Sequence, residues 1–376
     1  MLRTVLFFLF AAFALLNTTA AQYSANDHIF RAQQWMDAAR PAAATAELDA
    51  AIALTPQDVR AYFNRGLCHL KLENVEAAHA DFTTVVQRTP ADAEAWLLLG
   101  DINAQRQEFA LAEAAYQRSY QLRPHPEVLL ARADFYLSFD RPAAAEHDYR
   151  TLLRHTPNHP AAHRGLGDLA QLDGDFERAL DHYDLALRHD ATDVTAWYNR
   201  AQANLAQGYQ RAAALDLDRA AELAPEDAEV FALRARCRIE TDAYRAETDA
   251  RRARRLDKQN GTAWYVLARL ERQRGHHQRA MDHLDMSLIC EPANPEFRYE
   301  RGEVAYNLGY YEAARLDWTT LVDQHPEHAL AAERLAALRH MLSDRMDRLG
   351  AASVPLSSTD QLVSRGGDFT VDIFEE

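Results

Sequence analysis

Cysteine and lysine are both scarce in this chain of 376 residues. It has three cysteines, Cys68, Cys237 and Cys290, and its lysines are Lys71 and Lys258. Three cysteines cannot all pair within one chain, and a free cysteine on a helix packs as a small apolar side chain. We therefore expect packing rather than disulfide bonds to stabilise the fold. Arginine carries the positive charge, which we attribute to genome composition rather than to function.

Sequence motifs for catalysis or metal binding are also lacking. There is no phosphate-binding glycine loop, nucleophile elbow or HExxH pattern. The spacing of His155, His159 and His163 would align them on one helix, as metal ligands require. Two prolines, Pro157 and Pro160, interrupt that helix, because proline disrupts a helix interior. We predict a polar turn at these histidines, no metal or other cofactor, and no enzymatic activity.

Long apolar runs are absent after the N-terminus. Residues 4–16 form a short apolar segment that follows Arg3 and precedes small and polar residues, a pattern typical of a secretory signal peptide. The segment is too short to span a bilayer, which takes ~20 apolar residues. We expect residues 1–21 to be a signal peptide cleaved after Ala20 or Ala21, and an uncleaved anchor is the alternative. The expected protein is exported, periplasmic or secreted, with no integral membrane span.

Acidic residues outnumber basic ones, 56 against 41, and give a formal charge of −15. This excess disfavours nucleic acid and anionic lipid as partners. A simpler alternative is that the charge keeps an extended surface soluble and the chain monomeric. Either interpretation predicts no nucleic-acid partner.

A short pattern recurs along the chain at a nearly fixed period. Residues 61–66 read AYFNRG, and related hexapeptides occupy residues 95–100, 196–201 and 263–268. A period in this range indicates stacked two-helix repeats rather than one globular core. Prolines 33 or 34 residues apart, or about twice that, mark the end of each repeat: Pro56, Pro90, Pro124, Pro157, Pro225, Pro292 and Pro326.

Two positions in every repeat hold a small residue. Alanine recurs about twelve residues after the first of them, because a larger side chain would force apart two helices that cross closely. Gly174, Gly208, Gly275 and Gly309 are expected in the turns between helices, in a left-handed conformation. The first small position is the eighth of each repeat: Ala32, Gly66, Gly100, Ala133, Gly167, Ala201, Ala235, Ala268 and Gly302.

This pattern resembles the tetratricopeptide repeat. An aromatic residue near the repeat start (Trp96, Trp197 and Trp264), the small pair and the terminal proline occur at the family spacing. The resemblance implies an all-α, right-handed superhelical α-solenoid of helix-turn-helix repeats. The seventh repeat is one residue short and has Arg238 and Arg251 where apolar groups are usual, so we expect a local irregularity or a wider turn there.

The sequence predicts nine repeats, followed by a capping helix and a tail. A leucine-rich helix over residues 327–349 is predicted to cap the array, since an open repeat end exposes apolar surface. Residues 350–376 lose the periodicity and are predicted to form a flexible tail. The nine predicted repeats span residues 25–58, 59–92, 93–125, 126–159, 160–193, 194–227, 228–260, 261–294 and 295–328, within a repeat region of 22–326.

The resemblance also implies where a ligand binds. In this family the first helix of each repeat lines the concave face, through its second, fifth, sixth, ninth, twelfth and thirteenth positions. Tyrosine there offers rigid contact area, and asparagine offers both a donor and an acceptor to a peptide backbone. The candidate peptide-binding residues are Asn64, Arg164, Tyr198, Asn199, Arg236, Tyr265, Arg269, Arg272, Tyr299, Glu303 and Tyr306.

Charge on this face is segmented along the repeats. Acidic residues occupy repeats 3–5, arginines occupy repeats 7 and 8, and acidic residues return in repeat 9. A partner with the complementary order would fit, although charges on an open face can also serve only to solvate it. The acidic members in repeats 3–5 are Glu94, Asp101, Glu127, Asp134 and Asp168.

These observations favour a non-enzymatic scaffold or adaptor for protein–protein interaction. Its groove would bind a peptide or helix of an envelope or secreted protein partner. The alternative is an envelope protein that binds polysaccharide through groove tyrosines. The position of Trp96, Trp197 and Trp264 in the predicted core leaves only tyrosines for sugar stacking, which favours a protein ligand.

Overall fold

The computed structural model describes residues 23–351, with side chains described to residue 344. This part of the chain contains nineteen α-helices and no β-strand. The expected signal peptide lies outside the described residues, as does the expected tail beyond residue 351. The all-α solenoid of helix-turn-helix repeats is confirmed.

Eighteen of the helices form nine consecutive pairs, one pair in each repeat. Most are 13 or 14 residues long, and proline often stands at the first helical position, where its missing N–H costs nothing. The paired helices are α1 Ala25–Asp37, α2 Pro41–Leu54, α3 Val59–Lys71, α4 Val75–Arg88, α5 Ala93–Gln105, α6 Phe109–Leu122, α7 Pro126–Ser138, α8 Pro142–His155, α9 Pro160–Leu172, α10 Phe176–His189, α11 Val194–Ala206, α12 Gln210–Leu223, α13 Ala228–Arg238, α14 Ala243–Leu256, α15 Gly261–Gln273, α16 His277–Cys290, α17 Pro295–Asn307 and α18 Tyr311–Gln324.

The repeats form two compact units, which meet in sequence at Ala203 and Asn204. In the N-terminal unit the largest buried side chains include Phe82, Tyr149 and Tyr183. In the C-terminal unit they include Tyr265, Phe297 and Trp318. Each unit is thus stabilised by aromatic and aliphatic side chains packed between helices, as stacked repeats require.

Close helix crossing explains the small eighth position. A Cβ added at Gly100 would lie 2.6 Å from the ring of Tyr116, on the second helix of the same repeat. The corresponding contact at Gly302 would be 2.4 Å from Trp318. No ordinary van der Waals contact is that short, so these positions exclude any side chain while the aromatic ring stays in place.

The turns within repeats use a left-handed residue. Gly174, Gly208, Gly275 and Gly309 have φ between +76° and +80°, as predicted. In the first four repeats Ala39, Glu73, Gln107 and Asp140 hold this conformation instead, at some conformational cost. The seventh repeat differs: α13 has only 11 residues, and no positive φ occurs between it and α14. The predicted irregularity of this repeat is confirmed.

Arginine–aspartate pairs also hold the helices of a repeat together. Arg301 on α17 donates to both carboxylate oxygens of Asp317 on α18, at 2.9 and 2.6 Å, and Asp317 is almost fully buried. Arg65 binds Asp81 in the same bidentate way. In repeat 7, Arg238 reaches Asp249 at 2.8 Å, which explains how an arginine occupies an otherwise apolar position.

A final helix, α19 Ala329–Ala351, packs against the last pair. Its Leu335 and Leu338 are buried with Trp318 and Leu321 of α18. The predicted capping helix is therefore present. It takes the place that the first helix of a further repeat would occupy.

All three cysteines are free thiols, so the described part of the chain contains no disulfide bond. Among residues 23–351, no helix combines the length and apolar character needed to cross a membrane. No group of three or more potential metal ligands converges within that range.

Candidate functional site

The first helices of successive repeats lie side by side. Helix α5 contacts α7, and α7 contacts α9, in the N-terminal unit; α13 contacts α15 in the C-terminal unit. We call the outward positions of the first helices the first-helix face. All the candidate residues predicted above belong to first helices.

A pocket of about 330 Å³ opens on the first-helix face at repeats 1–3. Its apolar walls come from four side chains, Ile29, Val59, Phe63 and Val85. Its polar rim contains Asn64 and Glu94, together with Arg60 and Asp92. The volume is at the small end of the range for ligand pockets, and it suits one large side chain of a peptide better than a cofactor.

Asn64 is the predicted site residue that lies in this pocket. Its side-chain amide makes no hydrogen bond to any residue in the described range, so both its donor and its acceptor remain for a ligand. Arg60 is different, because it binds Asp58 and Asn26. Asn64 thus combines an unoccupied amide with an apolar pocket beside it.

Apolar side chains continue along the face of the N-terminal unit. Leu67, Leu97 and Leu130 are half-buried on α3, α5 and α7, and Phe30 on α1 is 65% exposed. The sequence interpretation overlooked this strip. Its signal was available, because Ile29, Phe63, Leu97 and Leu130 share the fifth repeat position.

Three aspartates on this face are each held by a tyrosine from the second helix of the same repeat. Tyr116 donates to Asp101 at 2.7 Å, and Tyr149 donates to Asp134 at 2.5 Å. A third bond, 2.8 Å long, joins Tyr183 to Asp168. In every case the acceptor is Oδ1, and Oδ2 makes no hydrogen bond within residues 23–351.

The surroundings of these carboxylates shift their titration. Burial raises the pKa of Asp101, Asp134 and Asp168, and the tyrosine bond opposes the rise in each case. Asp101 and Asp134 keep an exposed edge, so the rise reflects protein packed around one side of the carboxyl group. Burial, followed by the aspartate charge, also raises the pKa of Tyr116, and the phenol therefore stays a neutral donor.

Further along the same face, two predicted residues are held by carboxylates of the chain itself. Arg164 forms an ion pair of 2.6 Å with Asp193. The amide of Asn199 donates to Asp168 at 2.7 Å, so it is not free to bond a peptide backbone. Tyr198 is half-buried.

The arginines of repeats 7 and 8 are neutralised within the C-terminal unit. Arg236 pairs with Glu296 at 2.8 Å, and Arg272 pairs with Glu300 at 2.9 Å. Arg269 lies 2.9 Å from Glu240 and 3.4 Å from Glu300. The sequence interpretation treated these arginines as a basic segment open to an acidic partner, but the structure supplies a carboxylate to each.

Tyr265 requires a correction. It was expected on the binding face, but its side chain is only 1% exposed. The ring stacks on Phe297 with centroids 4.9 Å apart, and its hydroxyl donates to Glu296 at 2.8 Å. Burial raises its pKa, which keeps the hydroxyl protonated. Tyr265 is a core residue rather than a surface anchor.

The predicted residues of repeat 9 lie against the capping region. Tyr299 packs on His328 with ring centroids 5.3 Å apart, and Glu303 pairs with Arg334 of α19 at 2.9 Å. Tyr306 packs on Trp318 and remains 37% exposed. The capping helix therefore covers part of the face that was expected to be open.

The repeated tryptophans close the junctions between repeats. The indole N–H of Trp96 donates to the carbonyl of Pro90, and Trp197 and Trp264 make the same bond to Ala191 and Lys258, at 3.0 to 3.1 Å. Each bond satisfies a backbone carbonyl left unpaired after the preceding helix. These tryptophans have a structural role, as their predicted core positions implied.

Comparison with known proteins agrees with this architecture. The tetratricopeptide repeat family model matches residues 32–78, 69–125, 130–194, 173–228 and 242–296, which together make up more than half of the chain. By its fold, the protein is a solenoid of helix-turn-helix repeats. The chain belongs to the tetratricopeptide repeat family.

Two kinds of curated relative match the sequence. Cellulose synthase operon protein C of Xanthomonas axonopodis pv. citri (strain 306) is 29% identical over 290 residues, which cover 70% of this chain and 19% of that protein. The PEX5-related protein of Mus musculus is 26% identical over 193 residues, covering 39% of this chain and 34% of that protein. The matched region is thus a minor part of either relative.

Solved structures share the fold. A tetratricopeptide repeat protein from Parabacteroides merdae ATCC 43184 superposes with a TM-score of 0.54 at 17% identity, covering 65% of this chain and 98% of its own. The APC/C hetero-tetramer Cut9–Hcn1 gives a TM-score of 0.57 at 13% identity, with 84% of this chain and 76% of that chain covered.

Proposed function

We propose that this protein is a non-enzymatic scaffold that binds a peptide segment of a protein partner on the first-helix face of its N-terminal unit. The observation that carries the proposal is the pocket at repeats 1–3, where an apolar cavity adjoins the unoccupied amide of Asn64. An apolar cavity with one orienting polar group is the usual design of a side-chain binding site.

The distribution of intramolecular contacts supports the N-terminal unit over the C-terminal one. On the C-terminal unit, Arg236, Arg269 and Arg272 would have to give up existing ion pairs to bind a ligand. Breaking such pairs costs free energy that a new contact must first recover. Asn64 and the leucines of repeats 2–4 require no such exchange.

Selection from a displayed library of random peptides tests this proposal. The bait is the chain without residues 1–21, and the selected peptides are synthesised with a fluorescent label. Their affinities are then measured by anisotropy against the parent and against Asn64→Trp, which fills the pocket. We expect Asn64→Trp to weaken binding by roughly tenfold or more, because the anchor side chain loses its cavity.

The matched control is Leu111→Gln. Leu111 is 56% exposed on the second helix α6, outside the first-helix face. This variant should bind the selected peptides as the parent does, and both variants should keep the parent's helical circular dichroism. Peptides that bind Asn64→Trp as tightly as the parent would show that the ligand lies elsewhere.

We also propose that the protein acts outside the cytoplasm. The pattern of residues 1–21 supports export, and one relative is named for a cellulose synthase operon. Fractionation of cells that express the full chain, or the chain lacking residues 1–21, tests this. The full chain should occur outside the cytoplasm at reduced mass; a cytoplasmic full-length product would contradict export.

A further inference from the structure

The charges around the apolar face of the N-terminal unit differ from those elsewhere in the molecule. Here five carboxylates flank the apolar strip, and we call them the acidic row: Glu94, Asp101, Glu127, Asp134 and Asp168. Within residues 23–351, no arginine or lysine forms an ion pair with the acidic row. Burial raises the pKa of Asp134 and Asp168, the charge of Arg164 acts from a distance to lower it, and His125 lies 3.6 Å from Glu127. Carboxylates on the C-terminal face are instead paired with arginine, as Glu296 and Glu303 are.

The arginines Arg60 and Arg164 on this face form ion pairs with other carboxylates. Arg60 pairs with Asp58, and Arg164 pairs with Asp193. The face therefore presents an apolar strip beside a row of carboxylates that form no ion pair with an arginine or lysine. A segment with both apolar and cationic side chains would complement it in both respects.

We propose that the N-terminal face selects a basic amphipathic peptide segment, in which an apolar anchor fills the pocket beside Asn64 and cationic side chains meet the acidic row. This inference rests on the proposed function and names the chemistry of its partner. The neutral tyrosines hold Oδ1 of Asp101, Asp134 and Asp168 and leave Oδ2 for a cationic donor. Arginine suits that role because its planar donors match a carboxylate.

The repeat geometry sets the spacing of the cations. The three aspartates occupy the same position in consecutive repeats, on helices that contact one another. Packed helix axes lie about 8–10 Å apart. A polyproline II chain advances about 3.1 Å per residue and returns to the same side at every third residue. A peptide in the polyproline II conformation with an arginine at every third residue therefore places one cation near each aspartate.

Two synthetic peptides of identical apolar content test the proposal. Each is designed to adopt the polyproline II conformation and carries a phenylalanine near both ends and a fluorescent label. The two differ only at every third residue. That residue is arginine in one peptide and citrulline, its neutral analogue, in the other. At low salt the parent chain should bind the arginine peptide roughly tenfold more tightly, and this preference should diminish as salt rises.

A charge variant locates the preference. In Asp101→Asn/Asp134→Asn/Asp168→Asn every side-chain carbonyl can still accept the tyrosine hydrogen bond, so the fold should persist. This variant should bind the arginine and citrulline peptides about equally. The control Glu76→Gln/Glu177→Gln/Asp181→Asn makes the same charge change on second helices and should retain the preference.

The outcomes separate this inference from the proposed function. If the parent binds both peptides equally, and Asn64→Trp weakens both, the face binds peptides without selecting basic ones and the inference is wrong. If neither peptide binds, or Asn64→Trp leaves both affinities unchanged, the proposed function is wrong as well. If the second-helix control loses the preference for the arginine peptide to the same extent, the preference depends only on net charge and the inference is wrong.

Discussion

Tyr149 on α8 donates a hydrogen bond of 2.5 Å to Asp134 on α7, and thereby joins the two helices of repeat 4 through the edge of the binding face. The same relationship recurs in repeats 3 and 5. One contact thus serves both the packing of the helix pair and the orientation of a surface carboxylate. This shared role leads to the first prediction.

Tyr149→Phe should raise the pKa of Asp134 further, because burial already raises it and the lost hydrogen bond had opposed that rise. The variant should be about 1 kcal/mol less stable near pH 7. Since the pKa of Asp134 in the folded variant lies above that in the folded parent, the destabilisation should be full above the variant's pKa and should shrink as the pH falls through it. Urea unfolding at several pH values measures this. A stability loss that is the same at every pH would contradict it.

Gly100→Ala should destabilise the N-terminal unit although alanine favours helices. The new Cβ would lie 2.6 Å from the ring of Tyr116, and overpacking of this kind costs about 1–3 kcal/mol. The midpoint of urea denaturation reports the effect. In a protein that already carries Tyr116→Leu, Gly100→Ala should cost less stability than it does in the parent. A Gly100→Ala protein as stable as the parent would refute the steric explanation.

Arg301→Met should cost about 3 kcal/mol of unfolding free energy, at the low end for a broken buried pair because Arg298 remains 3.8 Å from Asp317. Asp317 is almost fully buried, and without the bidentate arginine its charge would have no close partner of equal quality. The control is Arg315→Met, which removes the exposed pair with Glu312 and should change stability by no more than about 0.5 kcal/mol. Similar losses in the two variants would show that burial does not govern these pairs.

Leu335→Ala combined with Leu338→Ala should loosen the capping helix. Both side chains are buried against α18, and each truncation of this kind costs about 2–5 kcal/mol. Hydrogen exchange followed by mass spectrometry should show faster exchange in α17–α19. Exchange in α1–α10, in the other compact unit, should not change, whereas acceleration there would mean that the cap stabilises the entire array.

The architecture could be predicted from sequence because it depends on local spacing. Each sequence signal reflects a geometric requirement within one repeat. These signals are the small residues at Gly100 and Gly302, glycine in the turns and proline at the repeat ends. The small eighth position recurs in all nine repeats, so the signal accumulates. The shortened seventh repeat was predictable for the same reason, since a missing residue changes a local count.

The state of individual side chains on the face was less predictable, because it depends on neighbouring repeats. Tyr265 occupies the same repeat position as Tyr198, yet it is buried because Phe297 stands where most repeats have alanine and provides a ring to stack on. Arg236 forms an ion pair with Glu296, which is distant in sequence. Such pairings follow from how helices stack in three dimensions, and no single repeat encodes them.

Site-specific photo-crosslinking measures the central claim most directly. A photoreactive aromatic side chain replaces Phe30 on the N-terminal face, Leu111 on a second helix, or Arg272 on the C-terminal face, and each protein is irradiated in the presence of the arginine peptide. The account predicts strong crosslinking from position 30 and little from positions 111 and 272. Predominant crosslinking from position 272 or 111 would contradict it.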